Sequence, residues 1–339
     1  MSKSTSKSSF KALIFKALAA LFMSSVPVLV LAADSGESGN FNPGDMINHH
    51  IMDAHAYEFA HGVVLHLPVI VYSEEKGLDI FSSSNFYDED HNVVPYNGYV
   101  MEHEHITLAD GSHVLDFSIT KNVAFLFLNA TVLVLVFFSV ARGYSRNAGG
   151  PPKGIQSFFE PIILFVRDEI VKPNIGAKYE RYLPYMLTLF FFIWFGNILG
   201  LMPAAANLTG NIAVTATLAM GTFLLTNFSG NKHYWKHVLW TPGVPHLMKI
   251  IIVPVEILGL FTKPFSLMIR LFVAITAGHI VVLSLISLTF IFQSWAVGIG
   301  SAVVLTVINI IELLVATIQA YVFTMFSSLY IGMAVEDHH

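Results

Sequence analysis

The chain alternates long apolar blocks with short polar joints, and the block lengths predict most of its elements. Residues 122–141, NVAFLFLNATVLVLVFFSVA, are long enough to cross a bilayer, whose core of ~30 Å takes about 20 apolar residues. Residues 154–172 read differently. Their apolar positions are interleaved at helical spacing with Glu160, Arg167, Asp168 and Glu169, which predicts a helix lying in the membrane interface. Further crossings are expected at 182–202 and 211–229, with an NLTGN turn after Pro203.

The last two blocks are too long for simple crossings. A helix over 247–292 would run about 70 Å and one over 298–334 about 55 Å. No turn signal divides either block, and Pro254 and Pro264 kink a helix without reversing it. Two steeply tilted helices joined near Gln293 and Ser294 are therefore expected.

Ahead of the first crossing the pattern changes to short alternating runs. VVLHLPVIVYS and HITLADGSHVLDFSI predict strands, with turns at EEKGLD and ADGS. The fold class expected is an all-α polytopic membrane protein: about five transmembrane helices, an interfacial helix, and a small β-containing extramembrane domain at the amino terminus. The first 33 residues carry Lys3, Lys7, Lys11 and Lys16, then ALAALFMSSVPVLVLA, and end in Ala32 and Ala33, the pattern of a cleaved signal peptide. The expected division is a signal peptide at 1–33, a His- and acid-rich domain at 34–120 and a membrane domain at 121–339.

Composition agrees with the pattern: 54% of residues are hydrophobic and 12% charged, with a mean hydropathy of +0.63. Charge adds direction. Between residues 34 and 120 Lys76 is the only Lys or Arg, whereas Arg142, Arg146 and Lys153 follow the first crossing and Lys232, Lys236 and Lys249 follow the third. The positive-inside rule then puts residues 34–120 outside the cytoplasm and the carboxyl terminus within it. There is no cysteine, which excludes a disulfide framework or a thiolate metal site. No GxxxxGK[ST] phosphate loop occurs, so nucleotide binding is not expected. The histidines of the amino-terminal domain, His49, His50, His55, His61, His66, His91, His103, His105 and His113, match no defined metal-ligand spacing and read as solvated surface residues.

The candidate chemistry lies in the tilted pair. Glu256, Lys263 and Arg270 recur every seven residues and share a stripe, with Ser266 one turn before Arg270. His279 is rotated by about 180° from Arg270 on a regular helix. Asn309, Glu312 and Gln319 share a face of the last helix. Arg270 cannot shed its charge, so it needs an anionic partner, which another chain would supply. Polar groups on opposite sides of a fixed cation suit a proton route with a barrier in its middle.

At these residues the chain resembles a known family. EILGLFTKPFSLMIRLFVAITAGH and ELLVATIQAYVFTMFSSLYI are similar to subunit a, the membrane stator component of F-type ATP synthases. Weaker likeness in YLPYMLTLFFFIWFGNILGLMP and NIAVTATLAMGTF extends it over about 120–334. The resemblance implies that Arg270 meets the carboxylate of each c subunit in a rotating ring. It further implies that Glu256 and Ser266 lie by the cytoplasmic half-channel and that His279, Glu312 and Gln319 line the one from outside, with Lys263 and Asn309 as further candidates. His279 and Glu312 show the exchanged arrangement of an acid and a histidine found in other members. Ala274 departs from the family, which usually has Asn there. The implied partners are the c-subunit ring, the subunit b peripheral stalk, other ATP synthase subunits and membrane lipid, in a bacterial inner membrane. No cofactor, metal or nucleic acid is implied. The competing expectation is a secondary transporter holding an anionic substrate on Arg270; such carriers show paired repeats, and the chain has no internal repeat.

Overall fold

The computed structural model describes residue 44 and residues 52–336, apart from 61–62, 75, 89–92, 103, 111, 147–150, 203–204, 241–244 and 293. The expected signal peptide and His49, His50, His61, His91 and His103 lie outside the described residues. Among the described residues five helices are long and apolar enough to cross a membrane. The chain forms two compact units: one holds the residues up to Phe127 with 200–207 and 278–312, the other 128–199, 208–277 and 313–339.

The first unit contains the strands β1 (Ala56–Ala60), β2 (Val63–His66), β3 (Pro68–Ser73), β4 (Gly77–Ser82), β5 (Tyr99–Glu102), β6 (His105–Leu108) and β7 (Leu115–Asp116). They make three small antiparallel sheets, β1-β2, β4-β3-β7 and β5-β6. The run VVLHLPVIVYS, residues 63–73, holds two of the short strands expected there, divided at the buried Leu67 and joined to different sheets. Pro68 follows at once and brings no N–H to a ladder. Strands β1, β4 and β5 were not foreseen. Val69, Val71, Phe86, Tyr99, Met101, Ile106 and Leu108 form the core.

Helix α1 (Lys121–Arg146) begins on this unit and is capped by it. Asp53 Oδ1 accepts the Asn122 N–H at 3.0 Å, its Oδ2 accepts the Thr120 hydroxyl at 2.7 Å, and the Ala54 carbonyl accepts the Lys121 N–H at 2.8 Å. A carboxylate at a helix start satisfies orphan donors and favours the dipole.

The segment expected as a single interfacial helix at 154–172 is subdivided. It comprises α2 (Ile155–Phe165), a π-helical turn at Val166–Val171 and α3 (Lys172–Ile175). The wider turn brings Val166, Ile170 and Val171 together into the core, where each is fully buried. Then come α4 (Tyr179–Gly200), α5 (Ile212–Ser229), α6 (Lys232–Leu239), α7 (His246–Phe292) and α8 (Trp295–Val335). The long pair is as the block lengths require: α7 runs 47 residues through Pro254 and Pro264 without a break, and α8 runs 41.

The core of the second unit joins aromatic residues of α4, including Phe190 and Phe191, to Leu267 and Leu271 of α7 and to Ala320, Phe323 and Ile331 of α8. The small Ala316 and Ala320, both fully buried, let neighbouring backbone come close.

Candidate functional site

Within the second unit, Leu267 and Leu271 bury one edge of α7, while Phe261, Thr262, Phe265, Ser266 and Val273 leave the opposite edge exposed. Arg270 stands at the border and is half-buried. Its guanidinium lies over the Phe326 ring of α8, 4.4 Å from the centroid. Two turns earlier Lys263 Nζ lies 5.6 Å from the Tyr330 ring, and the Phe326 and Tyr330 rings are 6.1 Å apart. Two cations thus face two aromatic rings one helical turn apart. Among the described residues no carboxylate oxygen lies within 4.0 Å of the Arg270 guanidinium. The interaction with Phe326 is worth about 2 kcal/mol where water is excluded, far less than burying a full charge costs.

A chain of hydroxyls ties α8 to α4 and α5 at Ser327, next to Phe326 in the sequence. Tyr185 of α4 and Thr222 of α5 share a hydrogen bond at 3.1 Å, and Thr222 and Ser327 of α8 share another at 3.2 Å. Higher on α8, the Thr317 hydroxyl accepts from Trp194 Nε1 at 3.1 Å and the Ala316 carbonyl accepts from Asn197 Nδ2 at 3.5 Å. Thr209 in turn donates to Asn197 Oδ1 at 2.6 Å. These bonds set the rotation of α8 at the level of the half-buried Gln319.

Glu256 is 37% exposed and has a partner that sequence reasoning missed: His237 of α6, whose Nδ1 is 3.4 Å from Oε1. Next to this pair is a cleft lined by Thr222, Thr226, Asn227, Tyr234, Lys263 and Tyr330, among others. The Tyr234 hydroxyl donates to Asn227 Oδ1 at 3.3 Å. Among the described residues the buried Thr226 hydroxyl has no hydrogen-bond partner, which makes it a natural place for water. One signal could have found this wall. Thr215, Ala219, Thr222 and Thr226 form the buried stripe of α5 at helical spacing, the small-and-polar pattern of packed membrane helices.

In the first unit, Glu312 of α8 lies against α7. Among the described residues its Oε1, which is buried, has no hydrogen-bond partner, and it sits 2.5 Å from where a Cβ on Gly278 would stand. The acid thus reaches the neighbour of His279 in the chain. His279 and Asn309 are half-buried.

The amino-terminal histidines hold a further surprise. His55, expected on the surface, is 3% exposed and lies between two carboxylates, Nδ1 3.4 Å from Glu104 and Nε2 3.2 Å from Asp116. Its backbone N–H also donates to Glu104 Oε2 at 3.0 Å. Burial lowers its pKa, but the hydrogen bonds to Asp116 and Glu104, with their charges, more than offset this and raise it to about 9. His55 is therefore an imidazolium clamp. Among the described residues no group of three His, Asp or Glu side chains is arranged to hold a metal ion.

Residues 123–332 match the family model described as the ATP synthase A chain, and residues 46–124 match that of a domain of unknown function. ATP synthase subunit a 2 of Chlorobaculum tepidum is 39% identical over 317 residues, which cover 91% of this chain and 78% of the relative. ATP synthase subunit a of Chloroherpeton thalassium is 39% identical over 298 residues, 86% and 77% of the two chains. ATP synthase subunit a of an Anaeromyxobacter species is 42% identical over 233 residues, 66% and 56% of the two.

Proposed function

The chain belongs to the ATP synthase A chain family, and from that premise we propose that Arg270 is the stator cation that meets the carboxylate of each subunit in a rotating c ring. The coarser function follows from membership: a proton-translocating, non-catalytic membrane subunit that works with the other ATP synthase subunits. The observation that carries the finer reading is a guanidinium at the border of an exposed edge of α7, with no carboxylate within 4.0 Å among the described residues. Such a charge is stable where it is because its counter-ion arrives from outside the chain. Family membership favours this reading over an anion carrier.

In this proposal a proton enters from the extracytoplasmic side past His279, Glu312, Gln319 and Asn309, and neutralises a ring carboxylate. A neutral acid tolerates lipid, so the ring can turn. When the carboxyl returns to Arg270, the positive field lowers its pKa and drives release toward Ser266, Lys263 and the Glu256–His237 pair. The same field repels a hopping proton and keeps the two half-channels from joining. Each charge moved through the membrane potential supplies about 2.3 kcal/mol per 100 mV, enough to bias rotation when transfer and step are coupled. The peripheral stalk, subunit b, holds the chain still while the ring moves. This orientation puts the β-containing unit outside the cytoplasm and the carboxyl terminus within it.

The test is Arg270→Ala in the complete complex, reconstituted in vesicles. Coupled ATP synthesis should be lost while the complex still assembles. An assembled variant that makes ATP at the parental rate overturns the proposal.

A further inference from the structure

The outward face of the β4-β3-β7 sheet is apolar throughout its centre. Register and alternation fix which residues share it. Ile70 pairs with Ile80, Tyr72 pairs with both Leu78 and Leu115, and the Phe117 N–H donates to the Ile70 carbonyl at 2.8 Å. Val69 and Val71, on the opposite face, are fully buried in the core. The outward set is exposed: Leu78 by 60%, Ile80 by 65%, Leu115 by 59% and Phe117 by 64%. A sheet with one wet face normally alternates apolar inward with polar outward.

The charged residues of the same strands point the other way. Asp79 of β4 accepts the Tyr99 hydroxyl at 2.7 Å, Tyr99 being a core residue. Asp116 of β7 holds His55. The acids are thus spent on the interior side, and the centre of the exposed side carries aliphatic and aromatic groups, with Ser82 at its edge. Contiguous exposed apolar surface of this kind marks a contact with another phase or chain.

Chain continuity says which. Phe117 is four residues from Lys121, the first residue of the membrane-spanning helix α1, so the two are at most about 14 Å apart. The link is not slack, because Asp53 and Ala54 bind the start of α1 to the same unit. Tyr57 of β1 makes a second tie through a hydrogen bond to the backbone of Ala206, in the segment joining α4 to α5. The sheet is therefore held beside the ends of membrane-spanning helices.

We propose that this face, centred on Tyr72, Leu78, Ile80, Leu115 and Phe117, rests on the bilayer and inserts its side chains among the lipids at the interface. Tyr72 is of the type that settles there, with an apolar ring below and a hydroxyl at the headgroups, and Phe117 and Leu78 are of the type that enters the acyl boundary. The bilayer lies within reach of the sheet for every copy of the chain, whether or not a protein partner is bound. The surface then works as a skid that fixes the domain against the membrane, and it depends on no feature of the proton path.

The chain has no cysteine, so single thiols can be introduced at will. Leu78→Cys and Ile80→Cys, with Ser112→Cys on an exposed turn as reference, would be labelled with a nitroxide in the full chain. The chain would be measured in liposomes both alone and within the assembled complex. Expected are collision rates with oxygen that exceed those with a water-soluble nickel chelate several-fold at 78 and 80, and the reverse at 112. Chelate access at 78 and 80 equal to that at 112 would overturn the proposal. So would shielding from both reagents, which would mean that a protein surface or a second copy covers the sheet.

Discussion

The carboxylate of Glu312 fills the space that a side chain on Gly278 would need, with Oε1 2.5 Å and Cδ 3.1 Å from the position of the absent Cβ. The crowded atoms belong to a flexible side chain, so an added methyl displaces the acid instead of unfolding the helix pair. Gly278→Ala should leave the thermal midpoint of the purified complex almost unchanged, since the helix gains about 1 kcal/mol of propensity. Proton flux driven by ATP hydrolysis should nonetheless fall several-fold. A variant with normal flux would show that the position of the acid is not critical.

Phe326 holds the Arg270 guanidinium from one side. Phe326→Leu keeps an apolar residue of similar bulk and removes the ring, at a cost of about 1–2 kcal/mol in the orientation of the cation. Coupled ATP synthesis should drop by roughly tenfold, and Phe326→Trp should restore most of it because indole binds cations at least as well. Equal rates for the leucine and tryptophan variants would mean that packing, and not the ring's electrons, is what matters.

Much of this arrangement was legible in the chain. Block length alone gave α7 and α8, because a continuous apolar run without a turn signal has no way to form a hairpin. Arg270 stood out because it cannot neutralise itself. The π-helical turn at Val166–Val171 was hidden, since Arg167, Asp168 and Glu169 looked like the polar side of an ordinary interfacial helix. The Glu256–His237 pair was hidden as well, because nothing local links a residue of α6 to one a whole loop away on α7. His55 misled for a related reason. A histidine among many acids resembles solvated surface until Glu104 and Asp116, both distant in sequence, are seen to close on it.

The His55 clamp makes a pH dependence that can be checked. Its folded pKa of about 9 lies above the ordinary histidine value of 6.5, so the stabilisation is complete below about 6.5 and is lost as pH rises through about 9. It amounts to no more than about 3 kcal/mol. Limited proteolysis of the amino-terminal unit in the membrane-bound chain should therefore accelerate between pH 7 and 10, after correction for the protease's own pH profile. In His55→Gln cleavage should be faster at neutral pH and nearly flat across that range. A parental profile that is flat over this window would show that the clamp is not closed by the imidazolium.

Gly332 tests how the end of the last helix is seated. Asn231 donates to the Ala334 and Val335 carbonyls at 2.9 and 3.0 Å, and Lys178 Nζ donates to the Val335 carbonyl at 3.1 Å, so the carboxyl end of α8 is capped by two other segments. Ser328 also donates to the Ile170 carbonyl in the π-helical turn, at 3.4 Å. A Cβ on Gly332 would collide with the backbone carbonyl of Asn174. Backbone against backbone has no rotamer to escape by, so the strain of overpacking, about 1–3 kcal/mol or more, outweighs the gain of about 1 kcal/mol in helix propensity. Gly332→Ala should lower the thermal midpoint and the amount of assembled complex, in contrast to Gly278→Ala, while the complex that does assemble conducts protons at the parental rate. If the alanine variant were as stable as the parent, the tight seating of α8 on the turn beside Asn174 would be refuted.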